Sequence, residues 1–101
     1  MLDSQWAVLD AEVAFVGGDG LAGAGLEVYS RRGAGLALAQ QVKLAEVVPN
    51  PEAGGVYRIL RMFKFPGTGA LTEQQIWAYT NWSGLGANTA KTLDYRHIRL
   101  R

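Results

Sequence analysis

The chain has 101 residues, of which 49% are hydrophobic and 19% are charged. This composition predicts one globular domain spanning residues 1–101 and excludes an intrinsically disordered chain. The absence of cysteine excludes disulfides, thiolate nucleophiles and zinc or iron–sulfur centres held by cysteine. The net charge is +1, but residues 1–52 carry seven acids and three bases, and residues 53–101 carry two acids and seven bases. Such asymmetry indicates either an anionic partner or charge matching within or between copies of the chain.

The opening residues, MLDSQW, lack the basic and then apolar pattern of a secretory signal. No apolar run approaches the roughly 18 residues that a membrane-spanning helix requires. We therefore expect a cytoplasmic protein without a membrane partner. Glycine and proline divide the chain into six segments joined by short turns.

The first segment, 5–16, alternates between apolar and polar residues. Asp10 and Glu12 share one face, and the other face is apolar: Ala7, Leu9, Ala11, Val13 and Phe15. This period of two predicts a half-buried strand. A helix near 3–12 is the alternative, because large apolar residues also recur at helical spacing.

Segments 36–48 and 56–65 alternate as well. In 36–48 one face is mostly leucine and valine: Leu36, Leu38, Val42, Leu44 and Val48. Good helix formers are frequent there, so strand and helix both stay open. Segment 56–65, VYRILRMFKF, predicts a strand that ends before Pro66. Its two faces carry Tyr57, Ile59, Arg61, Phe63 and Phe65 on one side, and Arg58, Leu60, Met62 and Lys64 on the other.

The last two segments are 72–82 and 91–101. In LTEQQIWAYTNWSG, Thr72 and Gln75 match a helix capping box and Gly84 matches a helix end, so a helix near 72–82 competes with a strand. The closing TLDYRHIRLR predicts a strand. On it, His97 shares a face with the other odd-numbered residues: Leu93, Tyr95, Arg99 and Arg101.

Short turns favour hairpins over parallel crossovers. We therefore predict a mainly β domain, either a small antiparallel barrel or a strongly curved sheet of about five or six strands, with at most one short helix. The alternative is an α+β fold with helices near 3–12 and 72–82. Exposed edge strands in such a domain favour pairing between copies, so we expect a homo-oligomer, most often a dimer.

The stretch EVAFVGGDGLAGAG places Gly18, Gly20 and Gly23 in G-x-G-x-x-G spacing after a strand-like run. This spacing resembles the opening βαβ unit of dinucleotide-binding oxidoreductases, where the glycines and a helix N-terminus approach a pyrophosphate. Two glutamines, however, stand where that family has an acidic residue, and Gly25 would weaken the helix by about 1 kcal/mol. We therefore expect a glycine-rich hairpin loop and no cofactor.

Large aromatic residues form the first candidate site. Trp77 and Tyr79 lie close in sequence, and Tyr95 precedes the only histidine, His97. Aromatic walls with a few polar groups are typical of small-molecule pockets and of subunit interfaces. The leading functional prediction is therefore a small binding or interaction module with a ligand pocket or interface at these four residues.

Basic residues form the second candidate, an anion site. They occur on two predicted strands in which cations and aromatics alternate: Arg58, Arg61, Lys64, Arg96 and Arg99. Charged grooves with stacking platforms are typical of proteins that bind single-stranded nucleic acid. A net charge of +1 and a pI of about 8.1 do not favour that ligand.

Acid–base chemistry is the third candidate. His97 could exchange a proton near neutral pH, and Asp10 and Glu12 could act as a carboxylate pair. Because catalytic groups are recognised by geometry, the sequence leaves open whether the protein is an enzyme. With one histidine and no cysteine, no metal site is expected.

Overall fold

Alternation of apolar and polar residues extends through most of the strands that the chain forms. A computed structural model describes residues 6–18, 20–80 and 91–101. Within these ranges six strands and one short helix follow in chain order: β1 (Trp6–Gly18), β2 (Ala24–Arg32), β3 (Gly35–Lys43), α1 (Leu44–Val47), β4 (Gly55–Lys64), β5 (Glu73–Thr80) and β6 (Lys91–Leu100). The prediction of a mainly β domain with one short helix is confirmed. The helical alternatives near 3–12 and 72–82 are wrong wherever those ranges are described, because β1 and β5 occupy them.

The strands form two antiparallel sheets of three strands each. In sheet I the order is β4-β1-β6, and in sheet II it is β3-β2-β5. The strands therefore form no closed barrel within the described ranges. Among the described strands, β2 and β3 are the only consecutive ones that pair. They are joined by a tight turn at Gly33 and Ala34, where Gly33 has a positive φ of 78°. The other consecutive strands lie in different sheets, so the described strands form fewer hairpins than we expected from the short turns.

The hydrophobic core lies between the two sheets. Sheet I contributes fully buried Leu9, Val13 and Ile59, and sheet II contributes Leu26 and Val28. Each such side chain contributes about 1.5–3 kcal/mol relative to an exposed position. The alternation in segments 7–15 and 56–65 therefore identifies the buried face correctly.

A bulge in β6 changes which face its side chains occupy. Asp10 of β1 pairs with Arg99 and Glu12 pairs with Arg96, so two residues, His97 and Ile98, lie opposite one. His97 has a positive φ of 53°, a conformation that L-residues adopt at a cost of about 1–2 kcal/mol. Because of the extra residue, odd-numbered side chains before the bulge and odd-numbered side chains after it point to opposite faces of the sheet. The prediction that the odd-numbered residues of β6 share a face is therefore wrong.

A second bulge, in β3, has the same effect on segment 36–48. Val28 pairs with Gln40 and Tyr29 pairs with Leu38. Leu38 is consequently 46% exposed, whereas Val42 is fully buried. The prediction that the leucines and valines of this segment share one face is wrong for this reason.

The glycine-rich segment forms a connection between the sheets. Gly20 and Gly23 have positive φ values of 99° and 77°, and β2 begins at Ala24 without a preceding helix. Because β1 and β2 lie in different sheets, the segment does not close the expected hairpin. The described part of the segment also offers no helix N-terminus to a pyrophosphate.

Candidate functional site: an arginine cluster on the outer face of sheet I

Asp10 lies at the centre of the outer face of sheet I. It belongs to the middle strand, β1, and its neighbours Leu9 and Ala11 point into the core. Its side chain nevertheless is only 7% exposed. The burial of a carboxylate on an outer face requires partners that cover it and compensate its charge.

Three arginines supply that cover. Arg58 donates from Nε to Oδ1 and from Nη2 to Oδ2 of Asp10, both at 3.1 Å. Arg99 donates from Nε and Nη2 to Oδ2 at 3.4 and 3.2 Å. Nη2 of Arg101 lies 2.8 Å from the same oxygen. We call Asp10, Arg58, Arg99 and Arg101 the arginine cluster.

Strand register brings these side chains together from three strands. On one side of β1, Arg58 of β4 pairs with Glu12, one outward position from Asp10. On the other side, Arg99 pairs directly with Asp10. Arg101 is fixed beyond the end of β6 by two backbone hydrogen bonds with Val8, at 2.8 and 2.9 Å. The bulge allows Arg99 and Arg101 to face outward while Tyr95 of the same strand packs against the core.

The cluster keeps Asp10 ionised. Hydrogen bonds from Arg58 are the largest influence, and together with Arg99 and the charge of Arg101 they lower the pKa of Asp10 to about 2 despite desolvation. The same hydrogen bond raises the pKa of Arg58. A carboxylate with so low a pKa accepts protons poorly near neutral pH. Asp10 is therefore suited to position guanidinium groups and unsuited to act as a general base.

A shallow cavity of about 300 Å³ opens beside the cluster. It is lined by Asp10, Ala11, Glu12, Arg58, His97 and Arg99. Three residues predicted for acid–base chemistry and two predicted for anion binding thus share one site. The Arg58 and Arg99 side chains remain 58% and 59% exposed, so a ligand in the cavity can reach their outer N–H groups.

The other predicted anion-binding residues lie outside this cavity. Arg96 pairs with Glu12 in the register and forms an ion pair with Asp94 at 2.9 Å. Lys64 lies at the end of β4, and Arg61 occupies the core-facing side of that strand. The five predicted cations therefore divide into two that line the site and three that do not.

The four residues predicted to form an aromatic ligand site are not brought into one cavity. Trp77 lies on the outer face of sheet II, where its ring contacts that of Tyr29 in a tilted arrangement at a centroid distance of 5.2 Å. Its Nε1 donates to Oε1 of Gln75 at 2.8 Å. His97 lies on the other sheet, in the cavity beside Asp10.

Tyr79 and Tyr95 approach the same glycine from two sheets. Tyr79 of β5 packs over Gly25 of sheet II, where a Cβ would collide with the tyrosine ring and with the Val42 carbonyl oxygen. The Tyr95 hydroxyl, from sheet I, donates to the Gly25 carbonyl oxygen at 3.4 Å, and burial raises the pKa of Tyr95 to about 12. Tyr79 also lines a separate cavity of about 340 Å³. These contacts indicate packing roles for both rings.

Sequence reasoning places Arg101 on the face of His97 without assigning it to the anion site, and it gives the exposed apolar residues beside the cluster no role. Arg101 closes the cationic run RHIRLR, which was the available signal. Alternation places the exposed Leu60 and Met62 on the same face as Arg58, but it gives no signal that this face combines apolar and cationic side chains.

Comparison with known proteins identifies no relative. No protein-family model, curated protein or solved structure matches the chain. Across residues 6–18, 20–80 and 91–101, no group of three or more metal-ligating side chains could hold a metal ion. In the same ranges no helix has the length and apolarity needed to cross a membrane.

Proposed function

We propose that this protein is a small binding module that takes up an oxyanion, a carboxylate or a phosphate, in the cavity beside Asp10. The observation that carries the proposal is that three guanidinium groups converge on one buried carboxylate. Arg58, Arg99 and Arg101 carry three positive charges against the two carboxylates of Asp10 and Glu12 beside the cavity. One net positive charge remains, and oxyanions are the ligands that arginine binds with well-matched geometry.

Hydrogen-bond capacity supports the same ligand. A carboxylate offers about four lone-pair directions, whereas three guanidinium groups carry about fifteen N–H donors. Asp10 can accept only a fraction of these. The arginine side chains are 50–59% exposed, and an oxyanion in the cavity would accept from the donors that point away from Asp10.

Preorganisation supports it further. A flexible arginine loses about 2 kcal/mol of rotamer freedom when a ligand fixes it. Asp10 already holds Arg58 in a two-point contact and Arg99 through two nitrogen atoms. Part of the ordering cost is therefore met by folding, which leaves more of the interaction energy for the ligand.

The position of the aromatic residues favours a compact oxyanion over single-stranded nucleic acid. Tyr57 and Phe63 alternate with Arg58 and Lys64 in sequence, but they lie on the core-facing side of β4. Stacking platforms for bases would have to share the outer face with the cations, and of the aromatic residues of β1 and β4 it is Trp6, at the start of β1, that does so. An oxyanion needs only the guanidinium donors that are present there.

Calorimetric titration of the protein with malonate and with inorganic phosphate, at low ionic strength, tests the proposal. We expect binding of at least one anion and about tenfold weaker binding in Arg99→Ala. Lys43→Ala removes one charge from an exposed site on sheet II and serves as the matched control. We expect it to bind like the wild type.

Salt provides an independent check, because added chloride should weaken binding to these exposed cations. The proposal is overturned if neither anion binds at low salt. It is also overturned if Arg99→Ala and Lys43→Ala weaken binding equally, since that would indicate a general effect of net charge.

A further inference from the structure

An exposed apolar surface adjoins the arginine cluster. Trp6 is 45% exposed, Leu60 56% and Met62 67%, and all three point outward from sheet I. Val8 lies between them, paired with Met62. We call Trp6, Val8, Leu60 and Met62 the apolar patch.

The patch and the cluster form one continuous surface. Leu60 pairs directly with Asp10 across β1 and β4. Val8 adjoins Arg101 through backbone hydrogen bonds. A ligand that extends from the arginines beyond the cavity, along β1 and β4, would therefore reach the apolar patch.

The composition of this surface is typical of a protein interface. Tryptophan, methionine and arginine are enriched at the centres of protein–protein interfaces, and tryptophan and arginine are among the residues that supply most of the binding energy there. Contiguous exposed apolar side chains on a small soluble domain commonly mark a binding surface. Leu60 and Met62 make this surface larger than an oxyanion alone would require.

We propose that the outer face of sheet I docks an acidic, amphipathic segment of a partner protein. Apolar side chains of that segment would bury the apolar patch, and its carboxylates would bind the arginine cluster. This inference rests on the proposed function, because the same arginines accept the carboxylates.

Charge complementarity favours this partner over a second copy of the chain. The cations around the patch are Arg58, Lys64, Arg99 and Arg101, and the carboxylates of Asp10 and Glu12 compensate two of these four charges. Two copies meeting through this face would oppose like charges, which is unfavourable. Nucleic acid is less favoured, since Trp6 is the one ring of the apolar patch, and Leu60 and Met62 offer no face on which further bases could stack.

Selection from a random dodecapeptide library against the whole protein tests the inference. We expect enriched peptides to combine acidic residues with large apolar residues. Fluorescence anisotropy of the enriched peptides should show about tenfold or greater weakening in Leu60→Ser/Met62→Ser and in Arg99→Ala.

A matched control is available on the opposite face. Leu36 and Leu38 of β3 are 37% and 46% exposed, and Leu36→Ser/Leu38→Ser should leave peptide affinity unchanged. Thermal unfolding of both double variants verifies that the fold is retained, as expected for exposed positions.

The possible outcomes separate the two proposals. If the peptides are acidic but bind Leu60→Ser/Met62→Ser normally, the docking inference fails and the oxyanion site stands. If the enriched peptides lack acidic residues and bind Arg99→Ala as tightly as the wild type, the docking inference is overturned. If, in addition, neither malonate nor phosphate binds the wild type, the proposed function is overturned as well. Tighter binding of oligothymidylate, or dimerisation that requires Leu60 and Met62, would replace the protein partner by nucleic acid or a second copy.

Discussion

The outer faces of the two sheets share an antiparallel three-stranded plan and differ in how their polar groups are matched. On sheet II, Glu27 of the central strand accepts from the Tyr29 hydroxyl at 3.1 Å and from Nε2 of Gln41 at 3.2 Å. Glu73 accepts from Nε of Arg31 at 2.8 Å. Carboxylates and donors on this face are thus paired with one another at the surface.

Trp77 extends the network of sheet II. Its ring contacts Tyr29 in a tilted arrangement, and its Nε1 donates to Gln75, which in turn donates to Glu73 at 3.0 Å. An exposed aromatic ring is here held by neighbours on its own face. Such a surface has little to gain from a ligand, because its polar groups already have partners.

Sheet I is arranged differently around its central strand. Asp10 receives three cations, and the adjacent Leu60 and Met62 have more than half of their surface exposed. One carboxylate of the central strand, Asp10 in β1 or Glu27 in β2, therefore determines how the polar groups of each face are paired. A carboxylate shared by several arginines leaves a surface with donors for a ligand, whereas one paired with neutral donors completes its own face.

Replacing the two central carboxylates tests this contrast most strongly. Asp10→Asn leaves three guanidinium groups close together without the carboxylate that all three contact, and we expect Tm to fall on the order of 10 °C. Glu27→Gln removes a carboxylate whose partners in the network are neutral, so we expect a fall of less than about half that size. Circular dichroism melts at low ionic strength measure both. Equal losses would show that the two faces depend on their carboxylates in the same way.

The pH dependence of stability sharpens the contrast. The pKa of Asp10 is about 2 in the folded protein, below its ordinary value of 3.8. Since the unfolded state binds the proton more readily, the stabilisation is fully present above the ordinary pKa and is lost as pH falls through about 2. We expect the urea midpoints of wild type and Asp10→Asn to converge over this acidic range.

Glu73→Gln on sheet II is the comparison variant for the pH series. Hydrogen bonding to Arg31 lowers the pKa of Glu73 as well. That side chain is 41% exposed, so water screens its ion pair and the pH-dependent difference from wild type should be smaller. A larger difference for Glu73→Gln than for Asp10→Asn would contradict the assignment of sheet I as the more strongly charged face.

Alternation predicts those parts of the site that lie on regular strand. The outward direction of Asp10 and Glu12, and of Arg58, Leu60 and Met62, follows from the period of two in segments 7–15 and 56–65. On a strand with one buried face, the apolar residues decide which side faces the core, and every other residue is fixed with them. Half of the arginine cluster was therefore predictable from two segments.

The remainder depends on bulges and on strand order. The inserted residue at His97 turns Arg99 and Arg101 outward while Tyr95 stays inward, and alternation carries no signal for it. Likewise, the sequence places Trp77 near Tyr95 only if their strands share a face, whereas β5 and β6 belong to different sheets. Pairing between distant strands is set by packing of the whole domain, which local patterns do not determine.

Truncation of one exposed apolar residue on each face gives the smallest expected effect. Trp77 and Met62 are 52% and 67% exposed, but only Trp77 has a described ring contact and side-chain hydrogen bond. Trp77→Ala should therefore lower the free energy of unfolding by about 1 kcal/mol, and Met62→Ala should change it by less than about 0.5 kcal/mol. Urea unfolding distinguishes these values.

A loss of stability in Met62→Ala as large as in Trp77→Ala would mean that the apolar patch contributes to folding. If stability is unchanged while affinity for the selected peptides falls, Met62 is exposed because a partner, and not the domain itself, covers it.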